Sequence, residues 1–150
     1  MAAILGEHRY PVRNIEQNIN DLNAQVAANE RGKQLLLQLV AKESAPVVRA
    51  YMRFIRENAA ASVRRAIRKL KSGNARTELD NGLVIQIEIR LNPDTGSARF
   101  DFTGSSAIHA GNFNTPRSVV QAAILYVLRT LVDEEIPLNS GCLEPVEIHI

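Results

Sequence analysis

Only one cysteine, Cys142, occurs in 150 residues, so no internal disulfide forms and the sequence reads as one made for a reducing compartment, with the cytoplasm as the expected location. No apolar stretch reaches the roughly 18 to 20 residues that span a bilayer, which excludes a membrane-spanning helix. The opening MAAILGEHRYPVRN has no charged segment followed by a sustained apolar run, so export is not expected. GxxxxGK[ST], GxGxxG and GxSxG are all missing, which leaves neither a phosphate-cradling loop nor a serine nucleophile to argue from. The three histidines, His8, His109 and His149, and the lone cysteine lack metal-ligand spacing, so no metal site is expected in this chain itself. Repeats and low-complexity tracts are absent too.

What is there is ordinary in bulk and uneven in detail. Apolar residues make up 45% and charged residues 23%, near soluble globular averages, and the length suits one domain with a real core. The net charge of +2 conceals a division: residues 1–75 hold 13 Lys/Arg against 6 Asp/Glu, and residues 76–150 hold 5 against 10. Such polarity suits an acidic partner for the first half, or attraction between halves of neighbouring subunits.

In the first half the period is helical. Asn14 is placed to cap a helix in which Ile15, Ile19, Leu22 and Val26 recur in steps of four, three and four, and Leu36, Leu37 and Val40 resume the face. Gly32 is a weak point in it. Ser44 opens a second helix with Pro46 in its first turn, and a stripe from Val47 to Leu70 carries it to Lys71, where Gly73-Asn74 stops it. At 1.5 Å per residue this second helix is roughly 40 Å long, and the two together predict a long antiparallel helical hairpin, an arm over residues 1–75. Arg49, Arg53, Arg56, Arg64, Arg65, Arg68, Lys69 and Lys71 line it, but Tyr51 and Phe54 belong to the apolar stripe. A solvated or docking face is expected there and not a nucleic-acid helix.

Residues 76–150 read as an α+β segment. Leu83, Ile85, Ile87, Ile89 and Leu91 alternate with polar partners, Asn92-Pro93-Asp94-Thr95-Gly96 is turn chemistry, and Ala98, Phe100 and Phe102 alternate again, which predicts a β-hairpin. Thr115 as N-cap and Pro116 at the first helical position start an apolar helix to Val132, expected to be buried, with Asp133, Glu134 and Glu135 forcing a turn after it. Val146–Ile150 begins a further strand. The chain stops there in mid-strand beside an oversized arm, so an interior piece of a larger domain is expected.

Between the second hairpin strand and the apolar helix lies a polar, glycine-jointed loop. Asp101, on the polar side of its strand, is either a solvated carboxylate or the group that holds the loop by accepting N–H bonds. Thr103, Gly104, Gly111 and Pro116 are its shaping residues. Asn112 and Asn114 are turn-formers or, with two donors and an acceptor each, ligands for a planar amide or carboxylate. Arg117 in the first helical turn is unfavourable for the dipole, which makes an anionic partner an alternative to a plain surface arginine. His109 shares the loop, His149 is expected on a strand face, and Cys142 is either a small half-buried filler or a reactive thiol.

RNIEQNINDLNAQVAANERG, then DFTG, GNFNTP and IPLNSGC in that order, resemble the B-type subunit or domain of ATP-dependent hydantoinases, 5-oxoprolinases and the related acetone carboxylases. The likeness runs from about Arg13 to the C-terminus. It implies, for a whole protein several times longer, ring opening of a hydantoin or 5-oxoproline, with ATP and a divalent metal as cofactors and an A-type subunit or domain as partner. The metal-binding histidine- and aspartate-rich segment of such proteins lies outside the matched region, so no cofactor is expected on this chain alone. Asp101, Thr103, Gly104, Gly111, Asn112, Asn114 and Pro116 match the junction, and Asn139, Gly141 and Cys142 a later loop. The substrate-side candidates are Asn112, Asn114, Arg117 and His109. The rival expectation is a non-catalytic assembly module that forms homo-oligomers through its helical arm. No nucleic acid or membrane is expected as partner.

Overall fold

The computed structural model describes residues 2–7, 11–132 and 136–150; His8 and the Asp133–Glu135 run lie outside them. The class is α+β, with long helices ahead of a sheet. α1 spans Ala2–Gly6, α2 Ile15–Glu43 and α3 Ala45–Ile67, followed by β1 (Gly73–Glu78), β2 (Val84–Asn92), β3 (Ser97–Asp101), α4 (Arg117–Thr130), a 3-10 turn at Ser140–Leu143 and β4 (Val146–His149). Two compact units are distinguished, Met1–Ala50 and Tyr51–Ile150.

In the first unit Asn14 caps α2, its Oδ1 accepting from the Gln17 N–H at 3.0 Å, which satisfies one of the orphan donors of the first turn. The helix runs through Gly32 and buries none of its residues. It ends at Ser44, which takes φ 72° and ψ 149°. That backbone excludes further helix, and the Ser44 carbonyl accepts the Val48 N–H at 3.1 Å to start α3.

The second unit has one core, and the sequence periods explain it. Ala59, Val63 and Ile67 recur every four residues on α3, Ala98 and Phe100 every two on β3, and Ile124 and Leu128 every four on α4, and these buried faces meet with Ile136 and Cys142. Each large aliphatic side chain buried there contributes about 1.5–3 kcal/mol.

The four strands lie in the order β1-β2-β3-β4. β1–β2 and β2–β3 are antiparallel; β3 and β4 are parallel, with Asp101 beside His149. A parallel neighbour cannot be reached by a tight turn, so α4 is the crossover of a β3–α4–β4 unit. One face of the sheet carries Ile87, Ile89, Leu91, Phe100, Val146 and Ile148 against the core. The other carries Glu88, Arg90, Arg99, Asp101, Glu147 and His149.

Several local expectations need correction. α3 stops at Ile67, four residues short of Lys71, because its last turn tightens to 3-10 bonding (Lys69 N to Ala66 O, Leu70 N to Ile67 O) and the Arg68 guanidinium bonds the Pro93 carbonyl in the hairpin turn at 3.2 Å. Gly73-Asn74 does not merely stop a helix; it begins β1, whose six residues are all exposed. An edge strand held by backbone pairing has no hydrophobic alternation to announce it. β3 ends at Asp101, so Phe102 lies beyond the strand. α4 begins at Arg117 with Pro116 in the cap position and no side-chain cap, one residue later than Thr115 and Pro116 suggest. The helix expected to be buried is so along one face; Val119, Tyr126 and Val127 on the other are 52, 73 and 53% exposed.

Candidate functional site

The C-terminal ends of β3 and β4 and the start of α4 meet at one end of the sheet, the position where parallel β–α–β units ordinarily gather ligand-facing groups. The segment 102–116 joins them, and three sets of hydrogen bonds hold it.

The first centres on Asp101. Its Oδ1 accepts from the Thr103 N–H at 2.9 Å, and its Oδ2 meets the Arg99 guanidinium at 3.3 Å, with the carboxylate 16% exposed. Bonds from the Thr103 hydroxyl and N–H, then Arg99 and the nearby His149, hold the carboxyl at about 2 against an ordinary 3.8, while burial opposes them. A depressed carboxylate pKa means that the charged form is favoured in the folded state. The contribution of Asp101 is therefore complete above pH 3.8 and is lost as pH falls from there through about 2. In an NMR titration the Thr103 amide is expected to move with a midpoint near 2, and not at all in Asp101→Asn. A midpoint near 4, the ordinary aspartate range, would show the turn to be unheld.

The second set stitches the loop to β2. Gly104 takes φ 95°, and a Cβ there would meet the Gln86 side-chain amide at 2.8 Å, so the turn accepts only glycine comfortably. Past it, the Ser105 hydroxyl accepts from Gln86 N–H and donates to Gln86 O, both at 3.0 Å. Val84 N–H donates to the Ser106 hydroxyl at 2.8 Å, and Ser106 N–H to Val84 O at 2.9 Å. Serine side chains thus continue the β2 ladder beyond the end of β3. None of Gln86, Ser105 or Ser106 stood out in the sequence. A Ser-Ser pair after a glycine is the faint signal for them, but the register that pairs them with β2 is a tertiary fact.

The third set closes the loop on itself. Asn114 Oδ1 accepts from His109 N–H at 2.8 Å, while its Nδ2 donates to His109 O at 2.8 Å and to Gly111 O at 3.0 Å. The amide acts as a surrogate peptide group, with its acceptor and both donors engaged. His109 Nδ1 accepts from Gly111 N–H at 2.9 Å, which leaves the ring hydrogen on Nε2, and the ring packs edge-on to Phe113 at 5.6 Å. Asn112 is exposed and has no hydrogen-bond partner among the described residues. Arg117 donates to the Ile148 carbonyl at 2.9 Å, tying the start of α4 to β4.

The later loop is structural in character. Asn139 caps the 3-10 turn through Gly141 N–H at 2.8 Å, and Cys142 is fully buried, a filler and not an accessible thiol. His149 is exposed at the end of β4. Among the described residues no three His, Cys, Asp or Glu come together as metal ligands. Nor is any helix among them long and apolar enough to cross a membrane.

The chain as a whole has relatives. Residues 2–150 match the family model described as hydantoinase B/oxoprolinase. The chain is 40% identical to 5-oxoprolinase 1 of Arabidopsis thaliana over 92% of its own length and 12% of that protein. It is 43% identical to 5-oxoprolinase PfmaA of Pestalotiopsis fici over 93% of its length and 11% of that protein. In three dimensions it resembles the ATP-dependent caprolactamase of Pseudomonas jessenii, with a TM-score of 0.67 and 20% identity over 97% of this chain and 25% of that one. The chain thus spans only a small part of the curated relatives it matches, and over nearly all of its length it belongs to the hydantoinase B/oxoprolinase family.

Proposed function

We propose that this chain is part of an ATP-dependent hydrolase of cyclic amides that opens 5-oxoproline or hydantoin rings, together with an A-type subunit or domain that uses ATP and with a divalent metal held elsewhere in the whole protein. The observation that carries the reading is the braced loop at the β3–α4 junction, in a chain whose relatives are 5-oxoprolinases. A lactam is resonance-stabilised and opens slowly in water. Phosphorylating its oxygen with ATP makes a better electrophile, after which hydrolysis needs positioned polar groups more than a strong nucleophile. In this scheme Asn112, whose amide has no partner among the described residues, and His109 Nε2 face the substrate. Asp101, Thr103, Gly104, Gly111 and Pro116 shape the loop, Asn114 clasps it, and Arg117 fixes it to β4. The single buried cysteine suits a cytoplasmic setting.

One observation favours an assembly role in addition. α2 leaves Val26, Leu35, Leu36, Leu37 and Leu39 exposed, more apolar side chain than a solvated helix needs, and this supports a homo-oligomer formed through the helical arm. The whole protein with its A-type partner is expected to open 5-oxoproline or hydantoin only when ATP is supplied and consumed, and to sediment as a dimer or larger. No ATP-dependent opening of either ring would overturn the enzymatic reading; a monomer at tens of micromolar would remove the oligomer.

A further inference from the structure

At the opposite end of the sheet from the braced loop, an open groove of about 530 Å³ runs between the β2–β3 hairpin and the start of β4. Its charges are unevenly matched. Arg90 is held by Glu88 through two bonds of 2.8 Å. Arg99 is held by Asp101 at 3.3 Å and Glu147 at 3.1 Å, and Glu144 is bound by Arg56 at 2.7 Å. Arg64, which also lines the groove, is half-buried and has no ion-pair or hydrogen-bond partner for its guanidinium among the described residues. The second carboxylate oxygens of Glu144 and Glu147 are likewise unbonded there. An unmatched cation and two spare anionic oxygens therefore border one hollow.

We propose that this groove is a binding site for a small amino acid zwitterion, the carboxylate seated on Arg64 and the ammonium on the free oxygens of Glu144 and Glu147. A simple oxoanion would answer only the arginine and would face the two glutamates; an amine would answer only the glutamates. A guanidinium takes a carboxylate through two parallel bonds. The site stands on these charges and not on the ring-opening proposal. Hydrolysis of a lactam such as 5-oxoproline, unlike that of a hydantoin, does leave a carboxylate and an ammonium in one molecule, so a site of this kind would hold that product class away from the loop where Asn112 lies.

The test is an NMR titration of the 150-residue chain with L-glutamate, glutarate and inorganic phosphate. L-Glutamate is expected to give saturable shifts at the Ala98, Arg99 and Val146 amides and at the Arg64 side chain, with glutarate and phosphate at least about tenfold weaker. Arg64→Gln, which keeps the stem packed against the Gly96 turn, is expected to abolish the glutamate shifts in an otherwise unchanged spectrum. Glu147→Gln, an exposed substitution, is expected to weaken glutamate and to spare phosphate. The proposal is overturned by the absence of saturable shifts, by equal response to phosphate or glutarate, or by undiminished glutamate binding in both variants.

Discussion

Gly141→Ala is expected to cost about 3 kcal/mol or more of stability, at the upper end for overpacking a core. Gly141 is buried in the 3-10 turn that leads into β4, and a Cβ built on it would overlap the Arg56 carbonyl oxygen, with the Arg56 carbonyl carbon at 2.8 Å. That obstacle is helix backbone, which no rotamer change can move. The turn cannot yield easily either, because Asn139 pins Gly141 N–H from one side and the Arg56–Glu144 ion pair ties it to α3 from the other. Relief requires turn and helix to separate, opening the core around Cys142. For a unit of about 100 residues, each kcal/mol moves the melting temperature by about 4–8 °C. The variant should therefore melt roughly 12–25 °C below the parent in a circular dichroism scan. Gly73→Ala is the control, since nothing lies within 4 Å of its added carbon. A Gly141→Ala melting point within about 3 °C of the parent would mean that the close approach is not real.

Asn114→Ala is expected to have the largest effect on the loop with little effect on the rest. It removes an acceptor and two donors that bind both backbone groups of His109 and the carbonyl of Gly111, so exchange of the His109 amide should accelerate strongly. Because these groups are exposed and water replaces the lost bonds, global stability should fall by only about 1 kcal/mol. In the whole protein, ring opening should fall about 10²-fold, the usual penalty for misplacing a reacting group by an ångström. Asn114→Asp should be worse, since a carboxylate would then face two carbonyl oxygens. Asn112→Ala separates the roles: it should leave His109 exchange as it was and still lower ring opening. Unchanged exchange in Asn114→Ala would refute the clasp, and full activity in Asn112→Ala would take Asn112 out of the substrate contacts.

The two asparagines show how far the sequence could be read at this site. Residue type and spacing marked both, and both remained candidates for the same role, since each offers the same donors and acceptor. What separates them is where neighbouring backbone lies. His109 O and N–H fall within reach of the Asn114 side chain and not of Asn112, a result of how the loop folds back on itself. Arg117 illustrates the same limit. Its charge at a helix start points to an anion, while the carbonyl of Ile148 that it also reaches comes from the parallel placement of β4, which no local pattern announces.

The sequence by itself determined α2, α3 and α4, the β2–β3 hairpin, the capping by Asn14 and the family, because period, turn residues and ordered motifs are local and survive without knowledge of the fold. Only the tertiary structure decided that β1 is a strand, that β3 and β4 run side by side, that Ser105 and Ser106 extend the β2 ladder, and that Arg64 borders a groove with no counter-ion among the described residues. Each of these depends on backbone groups or charges brought together from distant parts of the chain, and neither periodicity nor composition encodes which distant partner a hydrogen bond or an ion pair will find.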